Sequence, residues 1–383
     1  MKQKLPDEQV KSWKQFQVLS TIMFLLNIIV AVFTFICYFF VHISPKNFWL
    51  AGFFTLSLPV ILFFVHPAFI LYWLVKRKFI RIFISLITII AGFPLLQRTL
   101  TFHETETIPL GKKSFEVMSY NVQTFNQYFY YKKKNKTDAE KIYKYINESK
   151  AEIKCFQDFF QLEKSELFNS IKKISHSGEY YYYLDPRAHK VHTKRGYIGV
   201  AIFSKFPIIQ KGEIFSSKQS VNKGIYVDVV NGKDTMRIIN IHLQSNKIKP
   251  DSLFENTNYE EIKEEYLNSF DKLKYGFQIR GKQAEVLENE IINSPHPIIL
   301  CGDFNDIPYG FVYQRIRQHL SNSFEEKGSG FGFTYNGKLP FLRIDNQFFD
   351  KKFKIYEFKT HFKIKYSDHF PITARYTLIN HGK

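Results

Sequence analysis

Hydrophobic residues fall into two regimes along the chain. The first hundred residues hold three long apolar runs, at 18–43, 48–75 and 79–96, separated by short polar stretches. A helix needs about 20 apolar residues to cross a bilayer, with a lower limit near 17. The first two runs exceed the larger figure and the third lies near the smaller. The pattern predicts three transmembrane helices; a buried helix of a soluble core is the competing reading for the third. A cleaved signal peptide does not fit, because the first run is too long and further apolar runs follow it. Pro59 and Pro67 fall inside the second run, where membrane helices tolerate proline. His66, beside Pro67, reads as a helix-end residue.

Beyond residue 100 the runs shorten and turn residues separate them. Strands are expected at 115–120, 153–157, 180–184, 197–203, 225–230, 236–242, 297–301, 343–349 and 371–378. Helical periodicity appears at 138–148 and 280–293, and in the second Ala284, Leu287 and Ile291 form one buried face. Mixed strands and helices of this kind predict a two-sheet α/β sandwich with helices outside. Residues 101–114 are polar and read as a tether. Residues 247–275 are charged and weakly patterned, which fits a surface insertion beside His242 or simply a long exposed helix and loop. The tyrosines at 128–131 and 180–183 offer stacking surfaces, although alternate ones in the second group are expected to face the core.

Charge adds an orientation. Residues 1–100 carry 10 of the 53 Lys/Arg and 2 of the 35 Asp/Glu. Lys2, Lys4, Lys11 and Lys14 precede the first run; Lys76, Arg77, Lys78 and Arg81 lie between the second and third; only Lys46 lies between the first and second. Basic loops stay cytoplasmic. The N-terminus is therefore expected in the cytoplasm and the C-terminal part on the extracytoplasmic side, periplasmic or extracellular. The remaining residues have a net charge near +10, which favours anionic partners without selecting one. Cys155 and Cys301 sit inside predicted strands and Cys37 in the first apolar run; all three read as small core hydrophobes.

The candidate chemistry lies where apolar runs stop. The run 297–301 ends in Gly302-Asp303-Phe304-Asn305-Asp306, which reads as a buried strand delivering carboxylates and an amide to its edge. Alone this is also an ordinary turn sequence, and Asp306 reads as a turn or cap residue. Four further segments have the same build: Ser119-Tyr120-Asn121, Gln157-Asp158, Asn240-Ile241-His242, and Ser367-Asp368-His369 before an apolar stretch. Arg343-Ile344-Asp345 adds another carboxylate. Arg187, His189 and His192 lie in a loop where contact with phosphate is a further option.

This set, in this order, resembles the endonuclease/exonuclease/phosphatase superfamily of DNase I-like nucleases, sphingomyelinases and inositol-polyphosphate phosphatases. The matching pieces are Ser-Tyr-Asn-Val at 119–122, Gln-Asp at 157–158, Gly-Val-Ala-Ile-Phe-Ser-Lys-Phe-Pro-Ile at 199–208, Asn-Ile-His-Leu at 240–243, Gly-Asp-Phe-Asn-Asp at 302–306, Arg-Ile-Asp at 343–345 and Ser-Asp-His at 367–369. The resemblance covers residues 115 to about 377. It implies a four-layer α/β/β/α sandwich at 115–383; the apolar runs and the polar stretch make 1–100 a transmembrane anchor and 101–114 a linker. It also implies a Mg²⁺-dependent hydrolase, with Mn²⁺ as a substitute, cleaving phosphodiester or phosphomonoester bonds in nucleic acid or phospholipid headgroups.

By the same resemblance Asn121, Asp158 and Asp368 are metal-site candidates. Asp303 and Asn305 match residues that orient or deprotonate water and hold the phosphate. His369 is a general-base or phosphate-contact candidate oriented by Asp345, and His242 suits the scissile phosphate. The family has Glu where this chain has Asp158, a carboxylate shorter by one methylene, which puts metal affinity in question because Mg²⁺ demands near-ideal octahedral geometry. The rival expectation is an inactive family member acting as a membrane-tethered binding module.

Overall fold

The computed structural model describes residues 7–133, 137–175, 178–184, 196–215, 222–246, 259–337 and 341–379. The first apolar run forms helix α1 (Asp7–Phe40) and the second forms α2 (Leu50–Val75), continuous through a wide turn at Ile61–Val65. That turn lies between Pro59 and Pro67, where missing N–H donors break the regular ladder. The third run differs from expectation. Its helix, α3 (Phe79–Ala91), has 13 residues and stops at Gly92, followed by a single turn at Phe93–Leu96. At 1.5 Å per residue α3 is roughly 20 Å long, short of a ~30 Å hydrocarbon core. Among the described residues two helices, not three, are long and apolar enough to cross a membrane.

The three helices nonetheless pack as one bundle around a buried polar ladder. Thr34 of α1 bonds His66 Nε2 of α2 at 3.0 Å, His66 Nδ1 bonds Ser85 of α3 at 3.0 Å, and Ser85 donates to Asn27 of α1 at 2.8 Å. His66 is therefore a mid-helix bridge and not a helix end. Polar side chains buried between apolar helices pair in this way because they have no water to bond.

The remaining chain forms β1 (Leu100–Phe102), β2 (Phe115–Asn121), β3 (Ile153–Gln161), β4 (Tyr181–Leu184), β5 (Tyr197–Ser204), β6 (Ile208–Phe215), β7 (Gly224–Asn231), β8 (Asp234–His242), β9 (Ile298–Asp303), β10 (Ser321–Asn322), β11 (Ser329–Phe331), β12 (Asp345–Phe349), β13 (Phe353–Thr360) and β14 (Ile372–Leu378). Two six-stranded sheets result, in the orders β10-β12-β9-β8-β7-β6 and β13-β14-β2-β3-β5-β4. Between them lie Val117, Cys155, Ile202, Ile238, Ile299 and Ala374. Helix α4 (Thr137–Glu148) covers the outer face of the second sheet through Ile142 and Ile146. The C-terminal half of α5 (Tyr259–Ile292) covers the first through Ala284, Leu287 and Ile291, the face expected from spacing. The four layers are thus helix, sheet, sheet and helix.

Two further differences concern the edges of this plan. The expected tether opens with β1, which pairs with β11, and Glu106 bridges Lys327 and Lys354. The first part of the segment therefore lies on the sandwich. Asp345 begins β12, two residues later than the start of the strand expected at 343–349.

Replacing His66 with Leu should weaken the helical bundle by about 1–2 kcal/mol, the range for interhelical hydrogen bonds in lipid. Thermal melting of the full-length protein in detergent measures this; an unchanged midpoint would mean that the ladder contributes nothing.

Candidate active site

The two sheets deliver their polar residues to the same end of the sandwich. From the first sheet, register sets His242 of β8 beside Asp303 of β9, and Asp303 beside Asp345 of β12. From the second, β2 ends on Asn121, paired with Gln157 of β3, and the loop before β14 carries Asp368 and His369. Buried amides tie the sheets together beneath this edge. Gln157 Nε2 donates to Asn240 Oδ1 at 2.7 Å, Asn240 Nδ2 donates to the Phe156 and Ala201 carbonyls at 2.9 Å, and Gln347 Nε2 donates to the Val117 carbonyl at 3.1 Å.

Unusual backbone geometry aims the side chains. The β3–β5 register slips between Phe156 and Phe159, and in that bulge Asp158 adopts φ 45°. Bulges re-aim side chains in this way beside sites. Gly302 precedes Asp303 with φ 149°, and a Cβ there would meet the Ile241 carbonyl oxygen at 2.0 Å. Gln123, Thr124, Phe125 and Asn126 follow Asn121 as a left-handed turn, with φ between 46° and 53°. Such residues cost about 1–2 kcal/mol each, and polar bonds hold them in place. Gln123 N–H donates to Asn121 Oδ1 at 3.0 Å, Asp368 N–H donates to Gln123 Oε1 at 3.2 Å, and Asn126 Nδ2 donates to the Tyr366 carbonyl at 2.6 Å.

Asp303 is the hub. Its Oδ1 accepts the Asn305 N–H at 2.8 Å, and its Oδ2 accepts Asn121 Nδ2 at 3.0 Å. His242 Nε2 stands 3.5 Å and His369 Nε2 3.8 Å from the same Oδ2. His242 Nδ1 faces Asp158 at 3.4 Å, and His369 Nδ1 bonds Asp345 at 2.8 Å. Asn305, at φ 49°, donates its side-chain amide to the Leu243 carbonyl at 3.1 Å. A cavity of about 890 Å³ opens over Asn121, Asp158, His242, Asp303, Asn305, Asp368 and His369. Of the eight residues expected here, Asp345 alone does not line it; it lies behind His369.

Burial alone would lower the His369 pKa, but Asp345, Asp303 and Asp368 raise it to about 10. The raised pKa favours the imidazolium form, which suits the phosphate-contact expectation better than the general-base one. Burial raises the Asp368 pKa, with Asp158 and Asp303 adding to it and His369 opposing. This concentration of negative charge on oxygen donors fits a hard divalent cation. Asp158, Asp368 and the Asn121 amide face the cavity and can supply it. Asp303, Asp345 and His369 also cluster tightly enough for a metal. Within that cluster the His369 Nδ1 is bonded to Asp345 at 2.8 Å and its Nε2 faces Asp303 at 3.8 Å, the arrangement of a hydrogen-bonded relay.

Asp306 differs from the turn or cap expectation. It is partly buried and faces Arg280 Nε of α5 at 3.5 Å, while accepting the Ile307 N–H at 2.9 Å. Arg280 is 1% exposed, donates to the Gln244 carbonyl and Asn246 Oδ1 at 2.8 Å each, and lines the cavity. Sequence reasoning placed Arg280 only at a helix boundary. The same helix supplies an apolar wall of Leu267, Phe270, Leu273 and Phe277, joined by Leu56 of α2. Their helical spacing was the available signal, masked by surrounding charge. Arg187, His189 and His192 lie outside the described residues.

Residues 118–369 match the Endonuclease/Exonuclease/phosphatase family, and residues 20–99 match a domain of unknown function. Comparison with curated proteins finds no match. Among solved structures, an endonuclease/exonuclease/phosphatase family protein from Bacteroides thetaiotaomicron aligns with TM-score 0.50 and 16% identity, covering 70% of this chain and 98% of that one. The endonuclease/exonuclease/phosphatase from Bacteroides vulgatus aligns with TM-score 0.50 and 13% identity, covering 70% and 100%. At these identities the likeness is one of fold.

Histidine NMR should find the His369 ring protonated until about pH 10, and Asp345→Asn should move its titration toward the ordinary range. A raised folded-state pKa adds stability that is fully present below the unfolded value of about 6.5 and lost as pH rises through the folded one. The Asp345→Asn protein should therefore lose most stability at and below neutral pH and little above pH 10. A neutral His369 at pH 7 in the parent protein would contradict the assignment.

Proposed function

Because the chain belongs to the endonuclease/exonuclease/phosphatase family, whose members are phosphoester hydrolases, we propose that it is a divalent-metal-dependent phosphoesterase held at a membrane by its N-terminal helices. The observation that carries this is the meeting of Asn121, His242 and the Asp345–His369 pair around Asp303 from both sheets. An inactive binding module would not need that constellation intact.

The roles follow from the geometry. Asp158, Asp368 and Asn121 would hold Mg²⁺ or Mn²⁺, which neutralises phosphate charge when bound. Asp303 accepts the proton of the attacking water, oriented by its bonds from Asn305 N–H and Asn121 Nδ2. The new bond forms between water oxygen and phosphorus as the bond to the leaving oxygen breaks. His369, held protonated by Asp345, presents Nε2–H toward the oxygen that gains charge. His242 and the Asn305 amide hold the remaining phosphate oxygens. Donors fixed in this way cost no reorganisation during reaction. The helices favour a catalytic domain on the side of the membrane opposite the N-terminus. α3 runs parallel to α1, from Arg81 beside Ser20 to Gly92 beside Tyr38, which supports this side.

Hydrolysis of an aryl phosphodiester by the full-length protein should stop with EDTA and resume with Mg²⁺ or Mn²⁺. Asp303→Asn should lower the rate about 10²-fold or more with circular dichroism unchanged. Full activity in chelator, or near-normal turnover by the folded Asp303→Asn protein, would refute the assignment.

Asp158 gives a sharper test. Its replacement by Ala should sharply raise the Mg²⁺ concentration needed for half activity, because one of few anionic ligands is lost. Asp158→Glu should lower that concentration or leave it unchanged. If Asp158→Ala shifts the melting temperature but not the Mg²⁺ titration, the residue only shapes the bulge.

A further inference from the structure

The wall of the cavity facing the catalytic residues has no use in the chemistry above. Tyr266, Phe270, Leu273 and Phe277 of α5 follow one another at helical spacing and all line the cavity. The next turn of the same face is Arg280. From Tyr266 to Arg280 the face runs roughly 20 Å, more than the ~15 Å half-thickness of a bilayer's hydrocarbon core. Phe270 is 40% exposed, Leu267 59% and Leu56 36%. Apolar groups exposed beside a reaction centre mark a surface that something apolar covers.

The wall also runs into the membrane helices. Phe270 stacks on Phe53 of α2 at 4.6 Å and meets Trp49 edge-on at 5.5 Å, while Phe277 meets Phe53 at 5.3 Å. Lys274 lies 4.8 Å over the Trp49 ring. Trp49 thus caps the start of α2 against the α5 wall. At the polar end Arg280 is buried; its Nε faces Asp306 at 3.5 Å, and its Nη2 has no hydrogen-bond partner. Such a guanidinium suits an anionic oxygen of a bound molecule.

We propose that the substrate is an amphiphile, a phosphoester whose phosphate reacts at Asp303 beside Arg280 and whose hydrocarbon chain lies along Phe277, Leu273, Phe270 and Leu56. This rests on the phosphoesterase reading and adds the substrate class. A nucleic-acid strand is the poorer fit, because strand binding depends on repeated cations along a groove and the wall leading away from the site is apolar.

The test uses full-length protein in nanodiscs with Mg²⁺ and a series of p-nitrophenyl alkyl phosphates, methyl to decyl. Each methylene buried should raise kcat/KM by about threefold to fourfold through the middle of the series. Phe270→Gln and Leu56→Gln, each checked by melting temperature, should flatten that climb to less than twofold per methylene. Partition into the disc affects parent and variants alike, so their difference isolates the wall. A flat series in the parent protein, or an equally steep climb in both variants, would overturn the amphiphile proposal while the phosphoesterase reading stands. An oligonucleotide cleaved faster than the decyl ester would overturn it as well. No hydrolysis of any of these substrates with Mg²⁺ or Mn²⁺ would instead overturn the phosphoesterase reading beneath it.

Discussion

Everything at this site depends on how the two sheets are set against each other. Each sheet supplies half of the polar cluster, so a small slide of one over the other would separate Asp303 from Asn121 and His369. Apolar packing between sheets is strong but non-directional, and it does not by itself select one position. The Gln157–Asn240 bond and the reach of Gln347 to the Val117 carbonyl do, because a buried amide displaced from its partner costs about 1–3 kcal/mol. These amides make no contribution to the chemistry and yet fix where the chemistry takes place.

The sequence made the centre of this arrangement legible and its margins much less so. Asn121, His242 and Asp303 were readable because a strand buried on both faces is nearly all apolar, and its polar end stands out. Asp345 and His369 gained meaning from their neighbours in the motif set. Asp158 was recognised as a candidate, but its bulge was not, since a non-glycine residue at positive φ carries no signature in its type. The same holds for the left-handed turn at 123–126. Strands β6 and β13, with Lys211, Glu213, Lys354 and Lys359, escaped notice because they are the outermost strands and carry the charges that edge strands need. The α5 wall escaped notice because glutamate and lysine outnumber its apolar positions.

The N-terminal helices are more than an attachment. Cys37 of α1, Val41 just past its end, and Leu58 and Leu62 of α2 share one buried cluster with Ile307 and Tyr309, just beyond Asp303. Arg98 donates to the Pro308 carbonyl at 3.0 Å, and Arg343 donates to the Arg98 carbonyl. The segment following Asp303 is thus packed on the N-terminal helices. A fragment beginning after residue 100 would bare Ile307, Tyr309 and Phe277 and would lose Leu56 from the cavity. Residue 100 marks a change in composition more than a boundary between independent units.

The polar ladder of Asn27, Thr34, His66 and Ser85 bears on how the molecule is made. During synthesis α1 and α2 emerge first; Thr34 and His66 can pair between them, but Asn27 and the His66 Nδ1 lack their ladder partner until α3 arrives with Ser85. Unpaired buried polar groups are costly, so the early helices remain unfinished through the first ninety or so residues. Once Ser85 docks, the bundle closes and presents Cys37, Val41, Leu58 and Leu62 as a prepared apolar face. The catalytic domain, still being translated, then completes its core against a surface that already exists. Chain order thereby becomes assembly order, with the anchor acting as the template on which the catalytic segment settles.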